Sequence, residues 1–217
     1  MWYVIQTVTG KEQELMKAIE NVLVGNKREE TYKRCFTLER ECIWRIEGQF
    51  RIHIEPLFPS YVFAETDNPD AFFIALKQVP KLAKLLGAEG NFWSIGAYEE
   101  QFLHNMIETA RKESNLNASE GSRAERYIVQ RSLVHVDANG QIVSAEGALR
   151  DYWSQIVKQR LRKRSVIIEI PFLGETRRIQ LGIRLDEDKF HRQDLRKRRE
   201  GVGMPGLFNS YENGKEN

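Results

Sequence analysis

The stretch EPLFPSYVF, residues Glu55–Phe63, decides the fold of the N-terminal half because it places a proline between two β-prone segments. Pro59 has no backbone N–H to donate to a sheet. It therefore marks an edge or the entry of a strand, where neighbouring side chains are presented outward. Phe50–Ile54 alternates apolar and polar residues before it, and Tyr61–Glu65 is β-rich after it. The pattern predicts a strand on each side of the proline.

Helices and strands alternate outward from this stretch. Thr9 and Glu12 form a capping-box pattern that predicts a helix ending at Gly25, and Asn68 followed by Pro69 predicts the start of a second helix. The mixture predicts an α+β domain over residues 1–112. Its other predicted elements are the strand Trp2–Val8, a hairpin of Cys35–Ile46 and Phe50–Ile54, the end of the second helix at Pro80, a strand-like segment Ala83–Leu86, and a third helix through Phe102–Ala110.

The C-terminal half differs from the N-terminal half in its composition and in its predicted secondary structure. Its first segment, KESNLNASEGSRAER, has one leucine and no aromatic residue, which predicts a flexible linker over residues 113–130. Short strand-like segments separated by turn residues then predict a small β-barrel over residues 131–188. Residues 189–217 are charged and then glycine-rich, and predict a basic, disordered tail. The predicted strands are Leu133–Val136, Ile142–Ser144, Ser154–Leu161, Val166–Phe172 and Arg177–Ile183.

Composition excludes several classes of protein. No apolar run reaches the roughly 18 residues of a membrane span, and the N-terminus is unlike a secretory signal, so a cytoplasmic protein without membrane contact is expected. Cys35 and Cys42 are too few for a disulfide framework. The net charge of +2 is uneven: residues 1–115 hold 14 basic and 17 acidic side chains, whereas residues 158–199 hold 14 and 6. The second half is suited to an anionic partner.

Several motifs resemble the NusG family of transcription elongation factors. WYVIQ (2–6), EPLFPSYVF and VPKLAKLLG (79–87) resemble its N-terminal domain, and EGALRDYWSQIVK (146–158) before SVIIEIPFLG is similar to a KOW motif. The resemblance implies an N-terminal NGN-type α/β sandwich domain plus a C-terminal SH3-like β-barrel with a KOW motif. Asp151 and Ser154 stand where KOW motifs usually carry glycines, and Ser60 stands where many members have glycine.

The motif EPLFP resembles the specialised members of the family, the RfaH and LoaP types, more closely than the housekeeping factor. DAFFIALKQV (70–79) lacks the His-Thr-Thr motif of RfaH-type proteins, so the resemblance favours a LoaP-like antiterminator. RfaH-like and housekeeping identities remain open, as does refolding of the C-terminal domain into helices. The β-branched run Val166–Ile170 disfavours that refolding.

The resemblance assigns polymerase binding to Phe58, Pro59 and Tyr61. In the family, the matching aromatic residues help to form an apolar cavity that grips the clamp helices of the largest RNA polymerase subunit. Buried aromatic anchors dominate the energy of such protein interfaces. The alternative is that both rings belong to the core of the sheet.

A basic surface on the predicted barrel is the second candidate site. Period-2 alternation places Lys158, Arg160 and Arg162 on one strand face, with Val157 and Leu161 on the other. Such a surface could follow the backbone of duplex RNA, and the resemblance implies a hairpin in nascent RNA. The alternative is a solvated, charged face. The full candidate set is Lys158, Arg160, Arg162, Lys163, Arg164, Arg177 and Arg178.

No catalytic, cofactor or metal site is expected. The four histidines are scattered, and no nucleophile, base and stabiliser can be assembled. The glutamates near His53 are typical of a polar outer face of a hairpin. The sequence therefore predicts a monomeric, non-enzymatic factor that binds RNA polymerase and promotes processive antitermination and pause suppression. Its barrel would contact nascent RNA, a ribosomal protein or another Nus factor. The alternative is a KOW-barrel RNA-binding module of ribosome assembly or translation without polymerase binding.

Overall fold

A computed structural model describes residues 1–25, 29–46, 49–79, 92–114, 123–186 and 188. The N-terminal sheet contains six strands, in which β2 pairs with β3, β4 and β6, and β1 pairs with β4 and β5. All of these pairs are antiparallel except β2 with β6. The strands are β1 Trp2–Gln6, β2 Arg34–Ile46, β3 Gln49–Pro56, β4 Tyr61–Glu65, β5 Phe92–Ser94 and β6 Ala124–Val129.

Three helices are present in the described part of the N-terminal half: α1 Glu12–Gly25, α2 Pro69–Leu76 and α3 Ala97–Ser114. Asn68 caps α2 as predicted, since its side chain accepts a hydrogen bond from the Ala71 N–H at 3.1 Å. Helices α1 and α2 pack on the sheet in one apolar cluster, which includes Leu15, Ile19 and Phe72. None of the helices that the structure describes has the length and apolar character needed to cross a bilayer.

The C-terminal sheet contains five strands in the order β8-β7-β11-β10-β9. Its neighbouring strands are antiparallel apart from β7 and β11, which are parallel. A long hairpin of β10 and β11 forms its centre, with Val166, Ile168 and Ile170 fully buried on one face. The strands are β7 Ser132–Val136, β8 Ile142–Ala145, β9 Ile156–Arg160, β10 Ser165–Phe172 and β11 Glu175–Arg184.

The linker predicted over residues 113–130 differs from the structure at its C-terminal end. Ala124–Val129 forms strand β6, which extends the N-terminal sheet by pairing in parallel with Cys35–Arg40 of β2. Arg34 anchors this strand through ion pairs to Glu65 at 2.8 Å and Glu125 at 2.9 Å. The polar segment that precedes this strand had predicted disorder, but β6 is stabilised by backbone pairing with β2 and by burial of Tyr127 and Val129 in the core.

Two further expectations are corrected. The strand predicted over Ser154–Leu161 is shorter, because short 3-10 helices occupy Trp153–Gln155 and Leu161–Lys163 on either side of β9. Val157, predicted to point inward, is 52% exposed. The strand-like segment Ala83–Leu86, the motif after residue 79 and the tail over 189–217 lie outside the described residues.

The two sheets share one apolar core. Trp2, Phe36 and Phe63 of the N-terminal sheet belong to the same buried cluster as Ile168 and Phe172 of the C-terminal sheet. A second junction lies where β11 crosses β2. A Cβ atom added to Gly182 would lie 2.1 Å from the Glu41 carbonyl oxygen, so only glycine permits this approach. The C-terminal sheet is therefore docked on the N-terminal sheet through apolar packing and a backbone contact.

Candidate functional site

The predicted polymerase-binding residues form a tight turn, here called the Phe58 turn, which comprises residues 58–61. The Tyr61 N–H donates to the Phe58 carbonyl oxygen at 3.3 Å, and Ser60 has a φ of 71°, a left-handed conformation that favours glycine. The buried carboxylate of Glu12 holds this turn by accepting the Ser60 N–H at 2.7 Å. Glu12 thus stabilises a distant strand entry, in addition to beginning α1.

The aromatic residues of this turn are not freely presented to solvent. Phe58 is 6% exposed, and its ring stacks on Phe172 of β10 with the centroids 4.7 Å apart and the planes at 26°. Tyr61 is half-buried and also lies against Phe172, at 6.4 Å between centroids, whereas Pro59 is exposed. The expected outward presentation of Phe58 is therefore corrected. Its ring is covered by the chain's own C-terminal sheet, because stacking removes apolar surface from water.

A helix of the N-terminal half reinforces this cover. Glu99 of α3 accepts hydrogen bonds from the backbone N–H groups of Gly96 and of Leu173, which lies in the turn after β10. The Asn105 amide of the same helix donates to the Tyr152 hydroxyl at 2.9 Å. The contact between the sheets thus includes directed polar bonds, which set its register.

The seven predicted nucleic-acid-binding cations do not all line one cleft. Arg177 and Arg178 line a shallow cleft of about 270 Å³ together with the Phe58 turn. Both are paired with carboxylates of their own hairpin, since Arg177 lies 3.1 Å from Glu175 and Arg178 lies 2.7 Å from Glu169. Lys158 is exposed on β9 and lines neither this cleft nor the one described next.

The other four cations line a larger opening, here called the basic cleft, of about 470 Å³. Arg164 has a φ of 49°, and its side chain donates to the Leu161 carbonyl oxygen at 2.6 Å, which holds the turn after β9 in shape. The described lining includes no carboxylate. The lining residues are Cys42, Ile43, Trp44, Phe50, Arg160, Arg162, Lys163, Arg164, Ser165 and Gln180.

Two aromatic side chains of the N-terminal sheet complete the basic cleft, and sequence reasoning missed them. Trp44 is 47% exposed and Phe50 is 40% exposed, although both belong to the β2–β3 hairpin. The Trp44 ring packs against His53, with the centroids 4.3 Å apart and the planes tilted by 31°, and its indole N–H donates to Glu55 at 2.8 Å. The alternation of Trp44 and Phe50 with charged residues could have indicated that both rings lie on the outer face of the hairpin. That face was instead predicted to be polar.

Electrostatics around the hairpin favour a charged Glu55. Burial raises the pKa of its carboxyl, but hydrogen bonds from Arg40, Cys42 and Trp44 outweigh burial, and the pKa is lowered. Burial raises the pKa of the Cys42 thiol, with Arg40 opposing it. Within the described ranges, no three His, Cys, Asp or Glu side chains are grouped as metal ligands would be.

The chain was compared with known proteins. The model of the NusG family, described as transcription termination factor nusG, matches residues 1–102. The transcription termination/antitermination protein NusG of Campylobacter jejuni is 31% identical over 86 residues, which are 40% of this chain and 49% of that protein. Its counterpart in Helicobacter pylori strain 26695 is 25% identical over 87 residues, again 40% of this chain and 49% of that protein. A solved structure, titled "Domain interaction in Thermotoga maritima NusG", aligns with a TM-score of 0.46 and 18% identity over 84% of this chain and 93% of that one.

Residues 1–102, just under half of the chain, are therefore similar to the NusG family. The chain spans about half the length of the curated relatives that it matches.

Proposed function

We propose that the chain is a specialised NusG-type elongation factor that binds RNA polymerase through the Phe58 turn and promotes processive antitermination. The family match over the residues that form this turn carries the proposal. The clamp helices of the largest polymerase subunit are the expected partner, and a LoaP-like role in suppressing pauses is favoured. A factor stabilises the pause-resistant polymerase only by binding that state more tightly than the paused one.

The C-terminal sheet is proposed to be an SH3-like barrel of the KOW type over residues 131–188, with nascent RNA as its partner. A five-stranded sheet centred on the β10–β11 hairpin supports this proposal. The proposed RNA contact is concentrated on the residues of the basic cleft, since Arg177 and Arg178 are neutralised by Glu175 and Glu169. The domain limits proposed for the N-terminal part, 1–112, are extended by β6, which adds a strand to its sheet.

Polymerase binding through Phe58 requires the C-terminal sheet to move away, because Phe172 covers that ring. Separation exposes an apolar surface on both sheets, so the docked form competes with the polymerase for the same side chain. The polymerase must therefore supply enough binding free energy to offset the lost packing. Uncovering the turn is expected to increase polymerase binding.

Capture of the full-length chain on immobilised bacterial core RNA polymerase tests the proposal. The wild type should be retained, and Phe172→Ala should be retained more strongly, because it removes the ring that covers Phe58. Phe58→Ala with Tyr61→Ala should abolish retention. Pro59→Glu, at an exposed position outside the core, should do the same by placing a charge in the apolar contact.

Phe73→Ala is the matched control, since Phe73 is an exposed aromatic residue on α2, away from the turn. It should leave retention unchanged. If folded wild type and folded Phe172→Ala both fail to bind the polymerase at micromolar concentration, the proposal is wrong. Retained RNA binding in that experiment would favour the alternative of a ribosome-assembly module.

A further inference from the structure

We infer that the basic cleft binds single-stranded RNA, with bases stacked on Trp44 and Phe50 and phosphates held by the cations of the turn after β9. The inference extends the RNA contact of the proposed function and does not depend on the polymerase contact. It differs from the sequence-based expectation in two respects. The expected RNA was a duplex, and the expected surface belonged to the C-terminal domain alone.

The first argument for RNA binding is the combination of residue types in the basic cleft. Proteins that bind single strands combine a positively charged groove along the backbone with aromatic rings on which bases stack. In the basic cleft, the two aromatic side chains come from the N-terminal hairpin, and the cations Arg160, Arg162 and Lys163 come from the other sheet. Both rings are 40% or more exposed beside these cations, so a base can reach them while its phosphate contacts the cations.

The second argument is that three cations of the basic cleft are not paired with described carboxylates. Within the described residues, no carboxylate forms an ion pair with Arg160, Arg162 or Lys163, whereas Arg177 and Arg178 each have one. The exposed side chains of Arg162 and Lys163 lie at the turn and keep their charge available for phosphate. Phosphate contacts of this kind release counterions and give the affinity a steep dependence on salt.

The third argument is that the side chains of the basic cleft are already oriented for binding. The Trp44 ring is oriented by His53, which packs against it, and by Glu55, which accepts a hydrogen bond from its indole N–H. A ring that is already oriented loses little conformational freedom when a base stacks on it. Arg164 fixes the shape of the turn that carries the neighbouring cations. The cleft is therefore organised without a ligand.

The size and the polar lining of the cleft are compatible with unpaired bases. Its volume of about 470 Å³ is within the range of sites that enclose small groups. The half-buried Gln180 contributes an amide that both donates and accepts hydrogen bonds. Such a group can pair with a base edge or with a 2′-hydroxyl, the group that distinguishes RNA from DNA. RNA is assigned as the ligand because the inference extends the RNA contact of the proposed function.

Fluorescence anisotropy with a labelled 12-nucleotide oligouridine and the full-length chain tests the inference. The wild type should bind it, and should bind a duplex RNA of equal length and oligothymidine more weakly. Stacking on an aromatic residue contributes enough that Trp44→Ala should weaken binding by roughly 5- to 140-fold. Trp44→Phe should restore most of the affinity, because a ring remains available for stacking.

Charge variants separate the phosphate contacts from general attraction. Arg162→Gln with Lys163→Gln should lower the slope of log affinity against log salt by about 0.7 for each cation removed. Arg150→Gln with Arg184→Gln removes the same charge from exposed positions outside the basic cleft and should leave the slope nearly unchanged. Trp153→Ala, which removes an equally exposed tryptophan elsewhere, is the control for Trp44→Ala.

Several results would overturn the inference. One is tighter binding of the duplex than of the oligouridine, and another is equal binding of oligothymidine, which would remove the assignment to RNA. A third is an unchanged affinity in folded Trp44→Ala, which would leave only a charged surface. A fourth concerns Gly182→Ala, which forces the two sheets apart: undiminished RNA binding in that variant would show that the cleft does not need both sheets. Polymerase capture measured without RNA tests the Phe58 turn separately, so failure of the polymerase proposal can be distinguished from failure of this inference.

Discussion

The Phe58 turn and the basic cleft lie at two junctions between the same pair of sheets, yet they are built in opposite ways. At the Phe58 turn, the C-terminal sheet covers an apolar residue that the proposed partner needs. At the basic cleft, the C-terminal sheet completes a site by bringing cations to the Trp44 hairpin. Docking of the sheets thus closes one candidate site and forms the other. The comparison teaches that the two proposed contacts belong to different arrangements of the chain.

The largest effect is expected at the covered junction. Phe172 is fully buried against Phe58 and Phe63, so Phe172→Ala should lower the free energy of unfolding by about 3–5 kcal/mol. Urea denaturation followed by circular dichroism measures the change. Trp153→Ala, at a 40% exposed ring, should cost about 1 kcal/mol or less. Equal losses in the two variants would mean that Phe172 contributes little to the contact between the sheets.

A smaller effect is expected at the crossing of β11 and β2. Gly182→Ala should destabilise the chain by about 1–3 kcal/mol, because the added methyl group overlaps the Glu41 carbonyl oxygen and one of the two strands must move. Thermal unfolding measures it. Gly25→Ala is the matched control, since a Cβ atom at Gly25 meets nothing within 4 Å. If Gly182→Ala is as stable as Gly25→Ala, the strands do not make this close approach in solution.

The opposite construction of the two sites predicts competition between their ligands. RNA in the basic cleft favours the docked sheets, whereas polymerase on Phe58 favours separated sheets. Each ligand therefore lowers the affinity of the chain for the other ligand by the same factor. Saturating oligouridine should reduce polymerase capture several-fold, up to about tenfold, which corresponds to about 1.4 kcal/mol. Capture of Gly182→Ala should be insensitive to RNA. Unchanged capture of the wild type would show that the two contacts form together.

The smallest effect is a pH dependence at the Trp44 hairpin. The pKa of Glu55 is lowered from its ordinary value of 4.5, so the folded chain binds fewer protons there than the unfolded chain does. Its contribution to stability is present above pH 4.5 and is lost as the pH falls through the lowered pKa. Glu55→Gln should therefore flatten the decline of the unfolding free energy between pH 5 and pH 3.

Glu108→Gln, on an exposed pair with Lys112 of α3, is the control for this pH dependence. It should leave the decline unchanged, because exposed pairs contribute little to stability. An identical decline in Glu55→Gln and in the wild type would contradict the role assigned to the Glu55 carboxylate in holding Trp44.

Much of the N-terminal fold could be predicted from local signals. Asn68 and Pro69 mark the start of α2, and Gly25 marks the end of α1, because caps and backbone freedom act over a few residues. Strand β6 could not be predicted in this way. It was missed because the polar segment before it led to a linker prediction that extended to residue 130. Tyr127 and Val129 of β6 are buried in the core, and the strand pairs with β2, roughly ninety positions earlier in the chain.

The candidate sites were predictable only in part. The clustering of Arg160, Arg162, Lys163 and Arg164 follows from their closeness in sequence, and the structure places all four on one cleft. Trp44 and Phe50 were missed because they join these cations only through tertiary packing. Arg177 and Arg178 were predicted on charge alone, which does not reveal that carboxylates of their own hairpin neutralise them.

The amino-acid sequence by itself determined the mixed helices and strands of residues 1–79, the similarity of residues 1–102 to the NusG family, and the basic character of the second half. These properties depend on composition, periodicity and motifs that act over short separations. Only the tertiary structure decided that Phe172 covers Phe58 and that Trp44 faces the cations of another sheet. Such pairs are far apart along the chain and meet because two sheets bury one shared core, which no local pattern records.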